Sequence, residues 1–242
     1  MIGSASPDGI VRRWRARAHV MKTRYVILSV VAWLVAVSAL VLGGRWLLRR
    51  DAELPPNPPA AVTIETGRRE AAKAASAEGF AFKRSGQHAK AIAAFEAAIR
   101  EDPNHSDAYH GLAQVQRDAG DPSTALVHHD RAIQLDPGRF DLYWERGVTC
   151  LRLKDYDAAV TNFVACLERN DRFGNAHLGL GEAYRAKGEF EKALAHHDQA
   201  IALKPDSDWF YRERGNTYRR MGEQQLAETD FAKARELQQN KK

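Results

Sequence analysis

Two short clusters in this 242-residue sequence contain side chains that metal centres and acid–base catalysts use. His128, His129 and Asp130 form the first, and the same three residue types recur at 196–198. A zinc site needs three or four ligands that converge on the ion. Neighbouring positions on a helix diverge by about 100°, and the two clusters are predicted to lie four helices apart, so their imidazoles cannot share one ion. We predict a structural role for both clusters, with no metal and no cofactor.

The two cysteines of the chain, Cys150 and Cys166, could form a disulfide in an oxidising compartment. The repeat pattern described below puts them in one helical hairpin, with Cys150 roughly level with residue 160 of the returning helix. Cys166 is then about 9 Å further along that helix, whereas the Cα atoms of a disulfide are at most about 7 Å apart. The sequence therefore predicts two buried thiols.

Motifs of known enzyme classes are missing from the sequence. There is no Gly-x-Ser-x-Gly, no phosphate-binding glycine-rich loop and no His-Glu-x-x-His. Carboxylate pairs such as Glu101-Asp102 fall at predicted helix ends, where no cleft is implied. We predict that the protein is not an enzyme.

The positive charge of the chain is concentrated at its N-terminus. Residues 1–50 contain nine Lys and Arg against one Asp, a balance of about +8, whereas residues 51–242 contain 27 basic and 30 acidic residues, a balance of about −3. The sequence pI near 9.2 therefore describes the N-terminal segment alone. A broad basic stripe for nucleic acid is not expected, and we predict no nucleic-acid partner.

An apolar run near the N-terminus is long enough to cross a membrane. Residues 25–42 carry no charge and no proline, and at about 1.5 Å per residue they span about 27 Å. We predict a basic tail at 1–24, a transmembrane signal-anchor helix at 25–48 and a proline-rich linker at 49–71. More basic residues precede the span than follow it. This bias favours a single-pass protein of the bacterial inner membrane with its C-terminal domain in the periplasm.

A cleaved signal peptide is the competing interpretation of this segment. Translation from Met21 would give a short basic start, and Val37-Ser38-Ala39 resembles a cleavage site. The apolar run continues past that site, however, so we favour an uncleaved anchor.

From residue 72 onward the sequence repeats with a period of about 34 residues. Pro103, Pro137 and Pro205 define the register, and Asp171 stands where unit three would have its proline. The five units are 72–105, 106–139, 140–173, 174–207 and 208–241. Positions 8, 20 and 27 of each unit hold small residues, position 15 is glycine in four units, and position 24 is Phe or His. Lys154 replaces the glycine in unit three.

This spacing is typical of a helical hairpin in each unit. Small residues recur where two helices approach closely, and glycine at position 15 can end the first helix in the left-handed conformation. Proline at position 32 cannot continue the second helix. One hairpin cannot bury its apolar faces alone, so the units must stack.

A second period, twice as long, lies within the first. Units two and four share the His-His-Asp clusters, and units three and five share Tyr143-Trp-Glu-Arg-Gly and Tyr211-Arg-Glu-Arg-Gly. This indicates duplication of a block of two hairpins.

The small and aromatic positions resemble the tetratricopeptide repeat family, which has the same period. The resemblance implies an all-α fold: a right-handed α-solenoid of five helix-turn-helix repeats, preceded here by the predicted transmembrane helix. The first helix of each unit would line a concave groove.

The resemblance also implies which side chains face a ligand in that groove. These belong to positions 2, 5, 9, 12 and 13 of the first helices. The candidates are Trp144, Arg152, Arg185, Trp209, Arg212, Asn216, Arg219 and Arg220. Arg212 and Asn216 match half of the family's carboxylate clamp, but unit one has Ser76 and Phe80 at those positions, so the full clamp is absent. The arginines beside tryptophan fit an acidic or C-terminal peptide.

The sequence therefore predicts a membrane-anchored scaffold that binds protein or peptide partners in its groove and assists assembly of an envelope complex. Two alternatives stay open. The repeats could face the cytosol as a receptor for chaperones or precursor proteins. The last unit could also pair with a second copy to form a homodimer through its terminal face.

Overall fold

A computed structural model describes residues 60–240, and these residues form ten α-helices and no strand. The helices are α1 (Ala60–Arg84), α2 (His88–Glu101), α3 (Ser106–Asp118), α4 (Pro122–Leu135), α5 (Phe140–Arg152), α6 (Tyr156–Leu167), α7 (Gly174–Lys187), α8 (Phe190–Leu203), α9 (Asp208–Met221) and α10 (Gln224–Gln239). They pair in chain order into five hairpins, one in each predicted unit. The fold is the predicted all-helical solenoid.

The turn inside each hairpin follows from position 15. Gly188 and Gly222 end their helices with φ of 81° and 87°, a left-handed conformation that costs glycine little. Lys154 adopts the same conformation in unit three, with φ 61°. The hairpin geometry is therefore kept even where the glycine is replaced.

Helix α1 begins earlier than the repeat pattern predicts. It starts at Ala60, so the part of the predicted 49–71 linker that follows the prolines is helical. No proline occurs after Pro59 in this stretch, and the Glu65–Arg69 and Glu70–Lys73 pairs, at 2.5 and 2.8 Å, join successive turns. The predicted tail, transmembrane helix and proline cluster lie outside the described residues.

The helices form two layers in the part of the chain that the structure describes. Each odd-numbered helix contacts the next odd-numbered helix, from α1 to α9, whereas consecutive even-numbered helices do not contact each other. The first helices of the units are therefore close together and the second helices spread apart. This arrangement makes the first helices the inner, concave layer, as the family resemblance implies. Within residues 60–240, no helix is both long and apolar enough to span a bilayer.

In units one and three, the core inside the hairpin consists of a large ring packed against glycine. Phe95 and Phe163, both fully buried, lie where a Cβ atom on Gly79 or Gly147 would come within 2.7 or 2.6 Å of the ring. Real Cβ atoms do not approach so closely, so position 8 must stay small wherever position 24 is large. This contact explains why position 8 is glycine in units one and three.

Candidate functional site

The groove formed by the first helices of units three, four and five contains a cavity of about 410 Å³. Its walls come from α5, α7 and α9, with one residue from α6. The lining residues are Trp144, Val148, Leu151, Arg152, Phe163, Asn175, Leu178, Gly179, Glu182 and Trp209. We call this cavity the groove pocket.

The groove pocket is mainly apolar and is lined by two indoles. Trp144 packs edge-on against Phe173, with ring centroids 5.7 Å apart, and this contact fixes its orientation. Trp209 is 39% exposed, which is unusual for so large a ring. Phe163 and Leu178 are buried and form the floor. An exposed indole over an apolar floor is typical of a surface that receives a partner side chain.

Two polar side chains from α7 interrupt the apolar lining. Asn175 and Glu182 form no hydrogen bond or ion pair with another described residue. Burial raises the pKa of Glu182; repulsion by Glu213 adds to this rise and Arg185 opposes it. The pocket thus combines a hydrophobic surface with two acceptor groups that still have free hydrogen-bonding capacity.

Three of the eight predicted groove residues meet in the groove pocket: Trp144, Arg152 and Trp209. Arg152 lies at the rim, where it donates a 3.5 Å hydrogen bond to the Arg117 carbonyl and lies 3.9 Å from Asp118. Its charge is therefore drawn toward unit two.

Arg185 lies outside the pocket because it pairs with Glu213 of unit five. Its Nη1 donates to the Glu213 carboxylate at 2.9 Å and to the backbone carbonyl at 3.2 Å. This arginine joins α7 to α9, so its first role is structural. Its place at position 12 of the repeat predicts that Arg185 faces a ligand. The repeat pattern does not predict the ion pair, because Glu213 belongs to the next unit.

Arg212, Asn216 and Arg219 line a second cavity, of about 350 Å³, together with residues of α10. These include Phe231 and Arg235. We call it the end pocket. The predicted arginine wall is thus separate from Trp144, and Arg220 is exposed and lines neither pocket.

The end pocket lies on the face of unit five that corresponds, in the preceding units, to the face that packs against the first helix of the following unit. In unit four the equivalent surface is apolar, with Leu178 and Ala200 packed on Phe210. Arg212 occupies the position in unit five that Leu178 occupies in unit four, and Arg235 corresponds to Ile201 in the same way. The last unit therefore presents cations where the preceding unit presents aliphatic side chains.

The His-His-Asp clusters take part in contacts between units. His129 Nε2 lies 3.1 Å from Thr149 Oγ1, and Asp130 accepts a 2.7 Å hydrogen bond from Arg146. The same contacts recur two units later, where His197 lies 3.1 Å from Thr217 and Asp198 pairs with Arg214. Burial lowers the pKa of His129 and His197, that of His197 to about 3. The second and third residues of each cluster therefore form hydrogen bonds with residues of the next unit.

The first histidines of the clusters stack on aromatic rings of the neighbouring first helix. His128 stacks on Tyr109, with ring centroids 6.2 Å apart, and His196 lies between His177 and Tyr184 at 5.5 and 5.6 Å. No group of three or more His, Cys, Asp or Glu side chains in residues 60–240 is arranged to hold a metal ion. Cys150 and Cys166 are buried free thiols, and burial raises the pKa of Cys166 to about 12.

A buried polar network that the sequence reasoning missed occupies the groove of the first three units. Arg117 pairs with Glu145, and Gln114 joins Glu145 to Lys83 and to His110. Arg117 and Glu145 are only 8% and 7% exposed. The sequence contains a pattern that predicts the Arg117–Glu145 pair: Arg185 and Glu213 repeat the same two residue types at the same positions two units later. The network fills this part of the groove, so the open cavity belongs to units three to five.

Together, the stacked helical hairpins and the concave layer of first helices define a helical-repeat solenoid. The family description "Tetratricopeptide repeat" matches residues 76–140 and 112–165, and the description "TPR repeat" matches residues 181–222. These matches cover more than half of the chain, and the chain belongs to the tetratricopeptide repeat family.

Known proteins show the same fold and partial sequence similarity. Tetratricopeptide repeat protein 37 of Xenopus laevis is 28% identical over 166 residues, which is 60% of this chain and 11% of that protein. Hsc70-interacting protein 1 of Drosophila melanogaster is 34% identical over 84 residues, which is 35% of this chain and 22% of that protein. The structure of a thermophilic TPR protein from Thermus thermophilus superposes with a TM-score of 0.61 at 25% identity, covering 69% of this chain and 91% of that one. This chain therefore spans a small part of the curated relatives that it matches.

Proposed function

We propose that the protein is a scaffold that binds a segment of a partner protein in the groove formed by α5, α7 and α9. The observation that carries this proposal is the groove pocket, where the exposed Trp209 and the oriented Trp144 flank an apolar floor. The few residues that supply most of the binding energy at protein interfaces are enriched in tryptophan. A volume of about 410 Å³ suits one or two side chains of a bound segment.

The relatives support a scaffold rather than an enzyme. Their names describe a protein that interacts with Hsc70 and a subunit of the anaphase-promoting complex. Each is similar to this chain over only part of its own length, so their partners are not transferred. The shared class of activity, which is recognition of other proteins, is what we propose for this chain.

Photo-cross-linking at the groove tests the proposal. A photoreactive benzoylphenylalanine replaces Trp209 in the full chain, and the control places it at Val127, a residue of α4 that is 64% exposed. We expect a discrete cross-linked partner from position 209 and none from position 127. Equal cross-linking at the two positions would show that the groove has no special role.

The end pocket supports the proposed preference for an acidic or C-terminal peptide segment. Arg219 is held by a 3.0 Å hydrogen bond to Asn216 and lies 5.6 Å from the Phe231 ring, whereas Arg235 lies exposed beside it. A carboxylate would receive charge-assisted hydrogen bonds from such a group. Arg212→Gln combined with Arg235→Gln should weaken binding of an acidic segment, and undiminished binding would refute this role.

We also propose that residues 25–48 anchor the scaffold in a membrane with the repeats in the periplasm, where they would assist assembly of an envelope complex. The support is the uncharged run at 25–42 and the excess of basic residues before it. A reporter that is active only in the periplasm, fused to the C-terminus, should be active. An inactive reporter that is nevertheless expressed would favour the cytosolic alternative, in which the repeats serve as a receptor for chaperones or precursors.

A further inference from the structure

We propose that the groove pocket selects a partner segment carrying an arginine or lysine flanked by apolar residues, whose cationic end group binds Glu182 and whose stem packs between Trp144 and Trp209. This inference rests on the proposed function and specifies the chemistry of the partner. It differs from the end pocket, where the charges are reversed.

The unpaired carboxylate of Glu182 is the first step of the argument. Glu182 lines the cavity and has no hydrogen-bond or ion-pair partner among residues 60–240. Burying a carboxylate without a partner is costly, and this cost is visible as a raised pKa. A cation placed beside Glu182 would remove the penalty, so charge complementarity favours a basic side chain over a neutral or acidic one.

The arginines near the pocket form their hydrogen bonds and ion pairs with other acceptors, although Arg185 partly offsets the rise in the pKa of Glu182. Arg185 donates to both the carboxylate and the carbonyl of Glu213. Arg152 is held toward Asp118 and the Arg117 carbonyl at the rim. The nearby cations therefore have acceptors of their own, and the charge of Glu182 stays available for a ligand.

The remaining lining fits the other parts of a basic side chain. The methylene stem of arginine or lysine packs well on apolar surface while its charged end stays polar. Val148, Leu151 and Leu178 supply that surface, and the two indoles can receive a cation on their faces. Asn175 supplies an amide oxygen for one of the several N–H donors of a guanidinium.

The test uses the full chain in detergent and four peptides, acetyl-Ser-Leu-Leu-Xaa-Leu-Ser-amide, in which Xaa is Arg, Lys, norleucine or Glu. Calorimetry measures their affinities. We expect the Arg and Lys peptides to bind roughly 10- to 100-fold more tightly than the norleucine peptide, the range for a charge-assisted hydrogen bond. The Glu peptide should bind weakest at this site.

Two variants and one control locate the effect. Glu182→Gln should reduce the preference for Arg over norleucine to about 3-fold or less, since the charge-assisted contact is lost. Trp209→Ala should weaken the Arg and norleucine peptides together. Glu191→Gln removes the same charge from the exposed surface of α8 and should change nothing.

Several results would overturn the inference. One is equal binding of the Arg and norleucine peptides, and another is an Arg preference that survives Glu182→Gln; in both cases the groove would still bind peptides, so the proposed function would stand. If no peptide binds and position 209 cross-links no partner, both proposals fail. If position 209 cross-links residues 12–24 of the same chain, the occupant is the chain's own basic tail and not a partner.

Discussion

Lys154 has a left-handed backbone conformation, and the corresponding residue in each of the other four units is a glycine with the same conformation. Its φ is 61°, compared with 71°, 94°, 81° and 87° at Gly86, Gly120, Gly188 and Gly222. A side chain in this conformation costs roughly 1–2 kcal/mol relative to glycine. Lys154→Gly should therefore raise the free energy of unfolding by about 1 kcal/mol, as measured by urea unfolding followed by circular dichroism.

The reverse substitution gives the matched control for this residue. Gly188→Ala places a Cβ atom at a left-handed position where nothing lies within 4 Å, so only backbone strain opposes it. It should lower the free energy of unfolding by about 1 kcal/mol. If Lys154→Gly proves neutral or destabilising while Gly188→Ala destabilises, the lysine side chain makes a compensating contribution and the strain argument is refuted.

Close packing dictates the residue at Gly147. A Cβ atom there would lie 2.6 Å from the buried Phe163 ring, so Gly147→Ala should cost about 1–3 kcal/mol of stability through overpacking. Gly67 is also helical but has no atom within 4 Å of its Cβ position, and Gly67→Ala should stabilise the chain by roughly 0.5–1 kcal/mol. Opposite shifts in the urea midpoint are the expected result. A shift of the same sign for both variants would contradict this account.

At the scale of helices, the two-unit period of the sequence has a physical basis in the contacts between units. Three pairs join unit two to unit three: Arg117–Glu145, His129–Thr149 and Asp130–Arg146. The pairs Arg185–Glu213, His197–Thr217 and Asp198–Arg214 join unit four to unit five in the same way. The shared sequence motifs are thus the two halves of one polar interface that is used twice.

The sequence could predict the hairpins and their register, because the residues at positions 8, 15 and 24 form turns and packing contacts within one unit or between adjacent helices. It could not predict which groove side chains are free. Arg185 and Trp209 belong to the same class of position, yet Arg185 meets Glu213 whereas Trp209 stays 39% exposed. Whether such a side chain is paired or exposed depends on the residues of the next unit and on the angle between two first helices. The period of the repeat specifies neither the partner residue nor this angle.

The Arg117–Glu145 pair provides a test of these polar interfaces. Both side chains are only 9% exposed, so removing Arg117 leaves Glu145 buried without its ion-pair partner. Arg117 keeps its 3.3 Å contact with Asp118 when Glu145 is changed. Arg117→Met should cost about 3–5 kcal/mol, and Glu145→Gln should cost less because Gln114 and the amide can still hydrogen-bond. The double variant should be more stable than the sum of the single changes predicts. Additive losses in urea unfolding would mean that the two charges do not stabilise each other.

Across the whole array, position 24 alternates between phenylalanine and histidine. Position 24 holds Phe95 in unit one and Phe163 in unit three, but His129 and His197 in units two and four. Both histidines are fully buried, and their Nδ1 atoms have no hydrogen-bond partner among residues 60–240. Burial therefore favours the neutral imidazole in the folded state. Every second interface along the solenoid depends on an uncharged imidazole, and the array should loosen there when the pH falls.

The direction of this acid sensitivity follows from the pKa of His197. Burial, with smaller contributions from Arg185 and Arg214, lowers that pKa from about 6.5 in the unfolded chain to about 3 in the fold. Between pH 6.5 and about 3, this imidazole is protonated in the unfolded chain but not in the folded chain. The contribution of neutral His197 to the free energy of unfolding is therefore fully present above pH 6.5 and is lost as the pH falls toward 3. At pH 5 the loss approaches about 2 kcal/mol for this one imidazole.

His197→Phe should remove this share of the acid sensitivity. Gly181 leaves room for the ring as Gly147 does for Phe163, and Thr217 keeps its 3.2 Å hydrogen bond to the Glu213 carbonyl. The free energy of unfolding of the variant should therefore fall less between pH 7 and pH 5 than that of the native chain, by up to about 2 kcal/mol. Phe163→Leu alters the equivalent position of an apolar interface without adding or removing a titrating group. It should lower stability equally at both pH values. If His197→Phe instead shows the native pH dependence, protonation of the buried imidazole does not govern the polar interfaces, and the acid sensitivity of the array must arise elsewhere.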